Sequence, residues 1–303
     1  MKLLEFSDNF PDEASCRAHF KAVRDREGVV CKDCGCREHW WLKSRQMYKC
    51  KGCGRRTSLR CGTVMEHSKL PFMYWYMAMH LMTATKKGIS ALEVTRQIGH
   101  KYYEPVWELM HKLRRAMCRS DASHPLAGEV ELDEAFIRTA RPRGSQGRLS
   151  RGSGSERSAK VVVMAESEVV RDPKRHRKRY RCGRIRMAVV DDLLTETILA
   201  EVESAVSTGS RLRADDSMQH RKLAKQALEI TTAALPGKDS CAFLPWGHTA
   251  ISNVKRQLLD IHHFVTERFI QNYLGEFCYK QNNRHSKQGL FEHLAAAASM
   301  NWC

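Results

Sequence analysis

The sequence has no apolar run long enough to cross a bilayer, which takes about 18 or more consecutive residues. Its first residues, Met1 to Asp8, also lack the hydrophobic core of a secretory signal peptide. After Cys61 the cysteines are too widely scattered to suggest the disulfide framework of a small secreted protein. We therefore expect a soluble, cytoplasmic protein with mostly reduced thiols and no membrane partner.

Acidic residues are scarce relative to basic ones. The chain has 34 Asp and Glu against 51 Lys and Arg, which gives a formal net charge of +17. Such a polycation pairs with a phosphate backbone or an anionic membrane, and the absence of a membrane segment favours nucleic acid. The length of 303 residues is enough for two or three compact units with real cores.

Four cysteines form two pairs near the N-terminus. Cys31, Cys34, Cys50 and Cys53 follow the pattern C-x2-C-x15-C-x2-C, and a glycine follows the second cysteine of each pair. Two such turns aim four thiolates at one point and complete tetrahedral coordination of Zn²⁺. Because four protein ligands leave no position for water, we predict one structural zinc; redox-active thiols are the alternative. The segment 39–49 mixes aromatic and basic residues, as a β-hairpin in contact with nucleic acid would.

Two helices with a glycine between them are predicted after an apolar helix over residues 70–84. Ser90 is a suitable N-cap and Gly99 a suitable stop for the first, and residues 106–117 have helical apolar spacing. This pattern fits a helix-turn-helix whose second helix meets DNA through Lys112, Arg114 and Arg115, with a purely structural helical hairpin as the alternative.

A run of acids interrupts this basic chain. Glu129, Glu131, Asp133 and Glu134 lie in a segment whose apolar residues alternate around Val130, Leu132 and Phe136. The alternation predicts a β-strand with one buried face and with Glu129, Glu131 and Asp133 on the other. Like charges on one face repel unless a cation lies among them, so we predict a divalent metal site; a solvated strand face is the alternative.

A second carboxylate follows a later strand. Strands are predicted over 160–166, 183–190 and 211–216 and a helix over 193–204, and the last strand ends in Asp215 and Asp216. This order is that of an α/β ribonuclease-H-like fold, in which acids from adjacent strands meet. Asp133 and Asp215 would bind one pair of Mg²⁺ or Mn²⁺ ions about 3.5 to 4 Å apart. Asp216 is an alternative to Asp215. The basic stretches 138–158 and 171–181 would guide a phosphate backbone to these acids.

These motifs together resemble a known family. The chain is similar to the bacterial insertion-sequence transposases that carry an N-terminal zinc ribbon and a DDE-type catalytic domain, and specifically to insertion-sequence family fifteen-ninety-five. The resemblance rests on the cysteine pattern, Lys87 to Ser90, Gly128 to Glu134, Ala214-Asp215 and the block from His248 to Arg284. It implies cut-and-join DNA transposition that depends on a divalent metal, in the bacterial cytoplasm.

The third catalytic position departs from the acid-bearing members of that family. They carry a Glu about two helical turns before a Lys, and here the residue seven before Lys255 is His248. Seven residues place His248 and Lys255 on one helix face, which favours His248. Asn253 is the rival, because related members use Asn and an amide oxygen suits Mg²⁺ better than an imidazole does. Lys255 is predicted either to neutralise the developing charge of the phosphate or to hold the DNA backbone, and Arg256 is predicted to contact DNA.

The domain organisation predicted from these motifs has four parts. They are an N-terminal segment over 1–66 with the zinc ribbon at 31–53, a helical helix-turn-helix-like region over 67–124, the catalytic domain over 125–285, and a tail helix over 286–303. The predicted function is a transposase that acts as a homo-oligomer on the terminal inverted repeats of its element and on target DNA. A catalytically decayed DNA-binding protein or repressor, or a nuclease of the same fold, are the alternatives.

Overall fold

The computed structural model describes residues 1–140, 157–171, 178–215, 230–233, 243–286 and 289–300. Asp216 and most of the basic stretches 138–158 and 171–181, which flank the predicted strand 160–166, fall outside these ranges. The chain divides into two compact units: Met1–Ser120 with the residues from Asn283 onward, and Asp121–Asn282. Within these ranges, no helix is long and apolar enough to cross a membrane.

The first unit combines a small antiparallel sheet with helices. The sheet has the order β1-β2-β3 and contains the cysteine pairs at its loops. Its strands are β1 (His39–Leu42), β2 (Met47–Cys50) and β3 (Arg56–Ser58). Its helices are α1 (Leu3–Asn9), α2 (Glu13–Glu27), α3 (Phe72–Ala84), α4 (Ala91–Ile98), α5 (Tyr103–Ala122) and α9 (Gly289–Ser299).

The helical core of this unit joins both ends of the chain. Helix α9 packs against α2 and α3. The Phe291 ring lies 5.5 Å from that of Phe10 and 5.8 Å from that of Tyr76, measured between centroids. Such aromatic contacts add to the free energy gained by burying the rings.

The first helix of the helix-turn-helix-like segment has the ends that the sequence predicts. The Ser90 side chain accepts a hydrogen bond from the Glu93 N–H at 3.1 Å and caps α4. Gly99 ends the helix with a φ of 74°, a left-handed conformation that favours glycine. Helix α5 starts four residues beyond this glycine, at Tyr103, and runs past the predicted end.

The second unit is a mixed α/β unit built on a five-stranded sheet of order β6-β5-β4-β7-β8. Strand β5 is antiparallel to β4 and β6, whereas β7 and β8 are parallel to β4. The strands are β4 (Glu129–Arg138), β5 (Ser158–Arg171), β6 (Lys178–Val190), β7 (Arg211–Asp215) and β8 (Ile230–Ala233). The helices are α6 (Thr195–Ala205), α7 (Pro245–His262) and α8 (Glu267–Asn282).

Helices cover both faces of this sheet, so the prediction that β4 has one buried face is wrong. On one face of β4, Val130 and Leu132 pack in a cluster with α6. On the other face, Ala135 and Ile137 pack in a second cluster with α7 and α8. Phe136, which was predicted to be buried, is 36% exposed. Glu131 and Asp133 therefore lie beneath α7 rather than on a solvated face, whereas Glu129 stays partly exposed.

Asp121 links the two ends of this second unit. Its carboxylate accepts hydrogen bonds from Arg184 at 2.8 Å and from the Asn282 amide at 2.9 Å. The Asn282 side chain also bonds the backbone of Ile185 on β6 through both its oxygen and its nitrogen. The points where the chain enters and leaves the unit are thereby held to one strand.

Candidate functional site

Asp133 and Asp215 lie at neighbouring positions of two parallel strands. The register pairs Leu132 on β4 with Ala214 on β7, so the next residue of each strand is one of the two aspartates. Parallel strands lie about 4.8 Å apart, and side chains at paired positions point to the same face. The structure thus brings together the two acids predicted from the sequence, although they are 82 positions apart in the chain.

The Asp133 carboxyl group is mostly buried, with 14% of its side chain exposed. Burial raises its pKa, and the negative charges of Glu134 and Asp215 raise it further. His248 and the Glu134 N–H, which donates to Asp133 Oδ1 at 2.8 Å, act in the opposite direction. Because burial and neighbouring negative charges destabilise the ionised form of Asp133, a cation bound beside it would stabilise that form.

His248 reaches this carboxylate from α7. Its Nε2 atom lies 3.7 Å from Asp133 Oδ2. His248 is in the first turn of α7, which begins at Pro245, so the helix includes His248 and Lys255 as the spacing argument required. The amide oxygen of the rival residue Asn253 accepts a hydrogen bond from Arg256 Nη2 at 2.7 Å. The structure brings His248 to Asp133 and turns Asn253 toward Arg256.

Glu131 fixes the start of the helix that carries His248. Its side chain is fully buried, and Oε2 accepts the N–H groups of Trp246 at 2.8 Å and Gly247 at 2.9 Å. These groups belong to the first turn of α7, whose orphan donors and dipole favour a carboxylate. Burial raises the Glu131 pKa, and these two hydrogen bonds with the charges of Arg213 and His248 oppose that rise.

Gly247 packs directly against the strand that carries Glu131 and Asp133, with room for a Cβ atom at ordinary van der Waals distance. A Cβ atom on Gly247 would lie 3.6 Å from the Asp133 Cβ and 3.8 Å from Glu131 Oε2. The alternation predicted Glu131 on the same face as Asp133, either supporting the site or facing solvent, and Glu131 was not among the predicted catalytic residues. The available signal was its two-residue spacing from Asp133; the helix that buries it comes 115 residues later.

Arg213 supports the same region from β7. It pairs with Glu131 in the strand register, its guanidinium donates to the Phe243 carbonyl oxygen, and it lies 4.6 Å from the Phe243 ring centroid. It also faces Glu129 at 3.9 Å. Arg213 therefore anchors the residues that precede α7.

The predicted DNA-contacting residues differ in exposure. Lys255, Arg256 and Arg115 are exposed. Lys112 is partly buried and donates to the Glu66 carbonyl oxygen at 3.3 Å. Arg114 is fully buried, so its prediction as a DNA contact is wrong for this conformation.

The four predicted zinc ligands converge in the first unit. The sulfur atoms of Cys31, Cys34, Cys50 and Cys53 all lie within 4.8 Å of one another. A tetrahedron with Zn–S bonds of about 2.3 Å has sulfur atoms about 3.8 Å apart, so the cluster fits one zinc ion. The pairs Cys31–Cys53 and Cys34–Cys50 have sulfur separations of 3.6 and 3.5 Å. Four thiolates leave no open position, which makes the zinc structural.

The two glycines after the cysteine pairs explain the tight turns. Gly35 and Gly54 have φ values of 69° and 74°, in the left-handed region. The Gly35 N–H donates to the Cys31 carbonyl oxygen at 2.9 Å, and the Gly54 N–H donates to that of Cys50 at 3.1 Å. Each turn brings two sulfurs to the same side.

Comparison with known proteins finds matches over both units. The family profile of the ISXO2-like transposase domain matches residues 125–282, and that of the transposase zinc-ribbon domain matches residues 11–56. A protein of Halobacterium salinarum, described as an uncharacterized protein in transposable element ISH50, is 28% identical over 152 residues. The alignment covers 46% of this chain and 50% of the relative, so the chain spans about half the length of that relative.

Proposed function

Because this chain belongs to the insertion-sequence transposases with an ISXO2-like transposase domain, we propose that it cleaves DNA strands and joins the freed 3′-hydroxyl to target DNA. The family is the one predicted from the sequence, and its transposase domains imply DNA binding.

One observation carries this proposal: three predicted catalytic residues from distant parts of the chain converge. Asp133 and Asp215 occupy adjacent strand positions, and His248 Nε2 lies 3.7 Å from the Asp133 carboxylate. The sheet order β6-β5-β4-β7-β8, in which β5 runs antiparallel to the other four strands, supports a ribonuclease-H-like catalytic domain.

The residues present fit a catalytic divalent cation. Mg²⁺ binds one or two carboxylates and completes its shell with water and substrate phosphate oxygens, which Asp133 and Asp215 permit. The buried Asp133 carboxylate, whose pKa burial raises, is stabilised as an anion by such a cation. When bound, a pair of Mg²⁺ or Mn²⁺ ions would activate the attacking oxygen and stabilise the leaving oxygen.

The chain's own residues have separate roles in this proposal. Asp133 and Asp215 bind the cation, and His248 is the third catalytic residue beside Asp133. Lys255 lies two helical turns after His248 and is exposed, so its ammonium group binds a DNA phosphate near the reacting one. Arg256 extends this contact along the backbone. Asn253 is the second choice for the third position.

DNA beyond the reacting phosphate is held by the first unit. Arg115 is exposed on α5, the second helix of the helix-turn-helix-like segment. Lys112 lies three residues earlier, about one turn away on the same side of this helix. We propose the domain boundaries 1–66, 67–124, 125–285 and 286–303, and a homo-oligomer that holds two element ends. The terminal inverted repeats and the target are double-stranded DNA.

A cleavage assay with matched variants tests the proposal. Purified protein is incubated with DNA carrying the ends of its own element, with and without Mg²⁺ or Mn²⁺. The variants are Asp133→Asn, Asp215→Asn, His248→Ala and Asn253→Ala, and Asp191→Asn is the control because Asp191 is an exposed acid at the end of β6. We expect Asp133→Asn and Asp215→Asn to lower the cleavage rate at least a hundredfold, and Asp191→Asn to cleave normally.

The cleavage rates of the wild type and the variants distinguish the alternatives. Cleavage by Asp133→Asn at the wild-type rate contradicts the mechanism. If His248→Ala retains cleavage while Asn253→Ala loses it, the third residue is Asn253. DNA binding by the wild type without cleavage under either metal identifies a decayed transposase that acts as a DNA-binding protein or repressor.

A further inference from the structure

The outer face of the zinc-ribbon sheet carries an exposed indole surrounded by cations. We propose that this face binds DNA that contains an unpaired base, with Trp40 stacking on the base and Lys49, Lys51 and Arg56 neutralising the neighbouring phosphates. The inference rests on the proposed function, because a transposase acts on DNA ends whose strands it cuts.

The strand register places these side chains in one row. Trp40 on β1 pairs with Lys49 on β2, and Lys49 pairs with Arg56 on β3. Paired residues of antiparallel strands point to the same face, and strands lie about 4.8 Å apart, so the row spans about 10 Å. Trp40, Lys49 and Arg56 therefore form one continuous surface across the sheet.

The opposite face of the same sheet is covered. Tyr48 is 3% exposed and donates its hydroxyl to Asp25 of α2 at 2.6 Å. Trp41 lies beneath the Lys21 ammonium, 4.8 Å from its ring centroid. Trp40, by contrast, is 51% exposed although it neighbours Trp41 in the strand. The sheet thus has one face that packs on α2 and one face that is open.

The charge of the ribbon complements a nucleic acid. Residues 37–56 contain seven Lys or Arg and one acid, Glu38, which leaves six net positive charges in 20 residues. The Glu38 carboxylate pairs with Lys51 at 3.1 Å, and its side chain is 73% exposed, so this ion pair is weak and can be exchanged for a phosphate.

The exposed face of the Trp40 ring can stack on a nucleic-acid base. The ammonium groups of Lys49 and Lys51 lie 5.7 and 5.9 Å from its ring centroid. Lys51 is exposed and Lys49 is half-buried, and both have long side chains whose ammonium groups can move from the ring to phosphate oxygens. Stacking on an aromatic side chain tolerates any base, because every base has a π-face, but the faces of paired bases are covered by their neighbours in a duplex. This chemistry selects unpaired DNA, either a single strand or a frayed end.

A binding experiment with the full-length, zinc-loaded chain tests the inference. Fluorescence anisotropy measures the affinity for three labelled DNAs: a blunt duplex, the same duplex with a single-stranded extension, and the extension strand alone. Trp40→Ala should weaken binding to the extended duplex and to the single strand about tenfold, and Trp40→Phe should restore most of it. Lys49→Gln should lower the slope of log affinity against log salt by about 0.7 on the single strand. Lys2→Gln, an exposed lysine outside the ribbon, is the charge control.

The outcomes separate this inference from the proposed function. An unchanged affinity of Trp40→Ala for all three DNAs, with a zinc content equal to that of the wild type, overturns the inference. An equal loss on the blunt duplex overturns the selectivity for an unpaired base. Asp133→Asn should bind like the wild type without cleaving. Trp40-dependent binding by a wild type that never cleaves supports the ribbon site and contradicts the proposed function.

Discussion

Replacement of Glu131 tests whether a buried carboxylate outside the predicted catalytic set positions the site. Glu131 Oε2 accepts two backbone N–H groups at the start of α7, and the residue after these, His248, faces Asp133. Glu131→Ala removes both acceptors at once. Glu131→Gln keeps an amide oxygen of the same reach but removes the negative charge.

The magnitude follows from the two hydrogen bonds and the burial of the group. A bond to a charged group contributes about 1.5 to 3 kcal/mol, so the pair contributes about 3 to 6 kcal/mol. Burial of the carboxylate, which raises the Glu131 pKa, offsets part of this gain. We expect Glu131→Ala to lower the free energy of unfolding by about 2 to 4 kcal/mol. Glu131→Gln retains two neutral bonds and should lose about 1 to 2 kcal/mol.

Hydrogen exchange detects the effect where it originates. The amides of Trp246 and Gly247 should lose protection in Glu131→Ala and keep most of it in Glu131→Gln, and the cleavage rate should fall in the same order. Glu129→Gln is the control, because Glu129 is on the same strand face but its side chain is 37% exposed and its pairing with Arg213 is a surface contact. Unchanged protection and cleavage in Glu131→Ala, or equal losses in Glu129→Gln, would refute the reasoning.

Five further substitutions have expected outcomes. Asp133→Asn should raise the melting temperature at pH 7 by about 2 to 4 °C while cleavage is lost: burial raises the Asp133 pKa, so the wild type loses stability as pH rises from the ordinary Asp range through that raised pKa, and thermal melts across pH should show a shallower slope in the variant, which keeps only the contribution of Glu131 in this site. Cys50→Ser should remove the zinc, measured as metal per chain, and unfold the ribbon, seen as lost near-ultraviolet circular dichroism. Ser90→Ala should cost about 1 kcal/mol in denaturant unfolding, because α4 loses its N-cap. Arg115→Gln should weaken DNA binding in a mobility-shift assay without a change in melting temperature, whereas Arg114→Gln should lower the melting temperature because Arg114 is fully buried.

Local patterns predicted the local structures well. The cysteine spacing predicted a four-thiolate cluster, because each C-x-x-C turn closes within a few residues and needs nothing from the rest of the chain. The ends of α4 at Ser90 and Gly99 were predicted for the same reason, since caps depend on adjacent backbone groups.

The errors concern burial that distant segments impose. Period-two alternation assigns the acids of β4 to an open face, yet α7 covers Glu131 from a position 115 residues later. Arg114 was predicted from its charge alone. It lies four residues after Met110 and three before Met117, which are both buried, and this helical spacing already placed Arg114 on the packed side of α5.

The covered carboxylates also give a physical reason for a histidine rather than a glutamate beside Asp133. Glu131 is fully buried, Asp133 is mostly buried, and the charges of Glu134 and Asp215 already raise the Asp133 pKa. A glutamate in place of His248 would bring one more negative charge to within a few ångström of Asp133, at a high cost in a partly buried site. A neutral imidazole offers a nitrogen ligand without that charge, and a protonated one lowers the Asp133 pKa instead of raising it. In this chain the buried Glu131 holds the start of α7 in place through two hydrogen bonds. A histidine at position 248 does not add to the negative charge that Glu131 brings to this site.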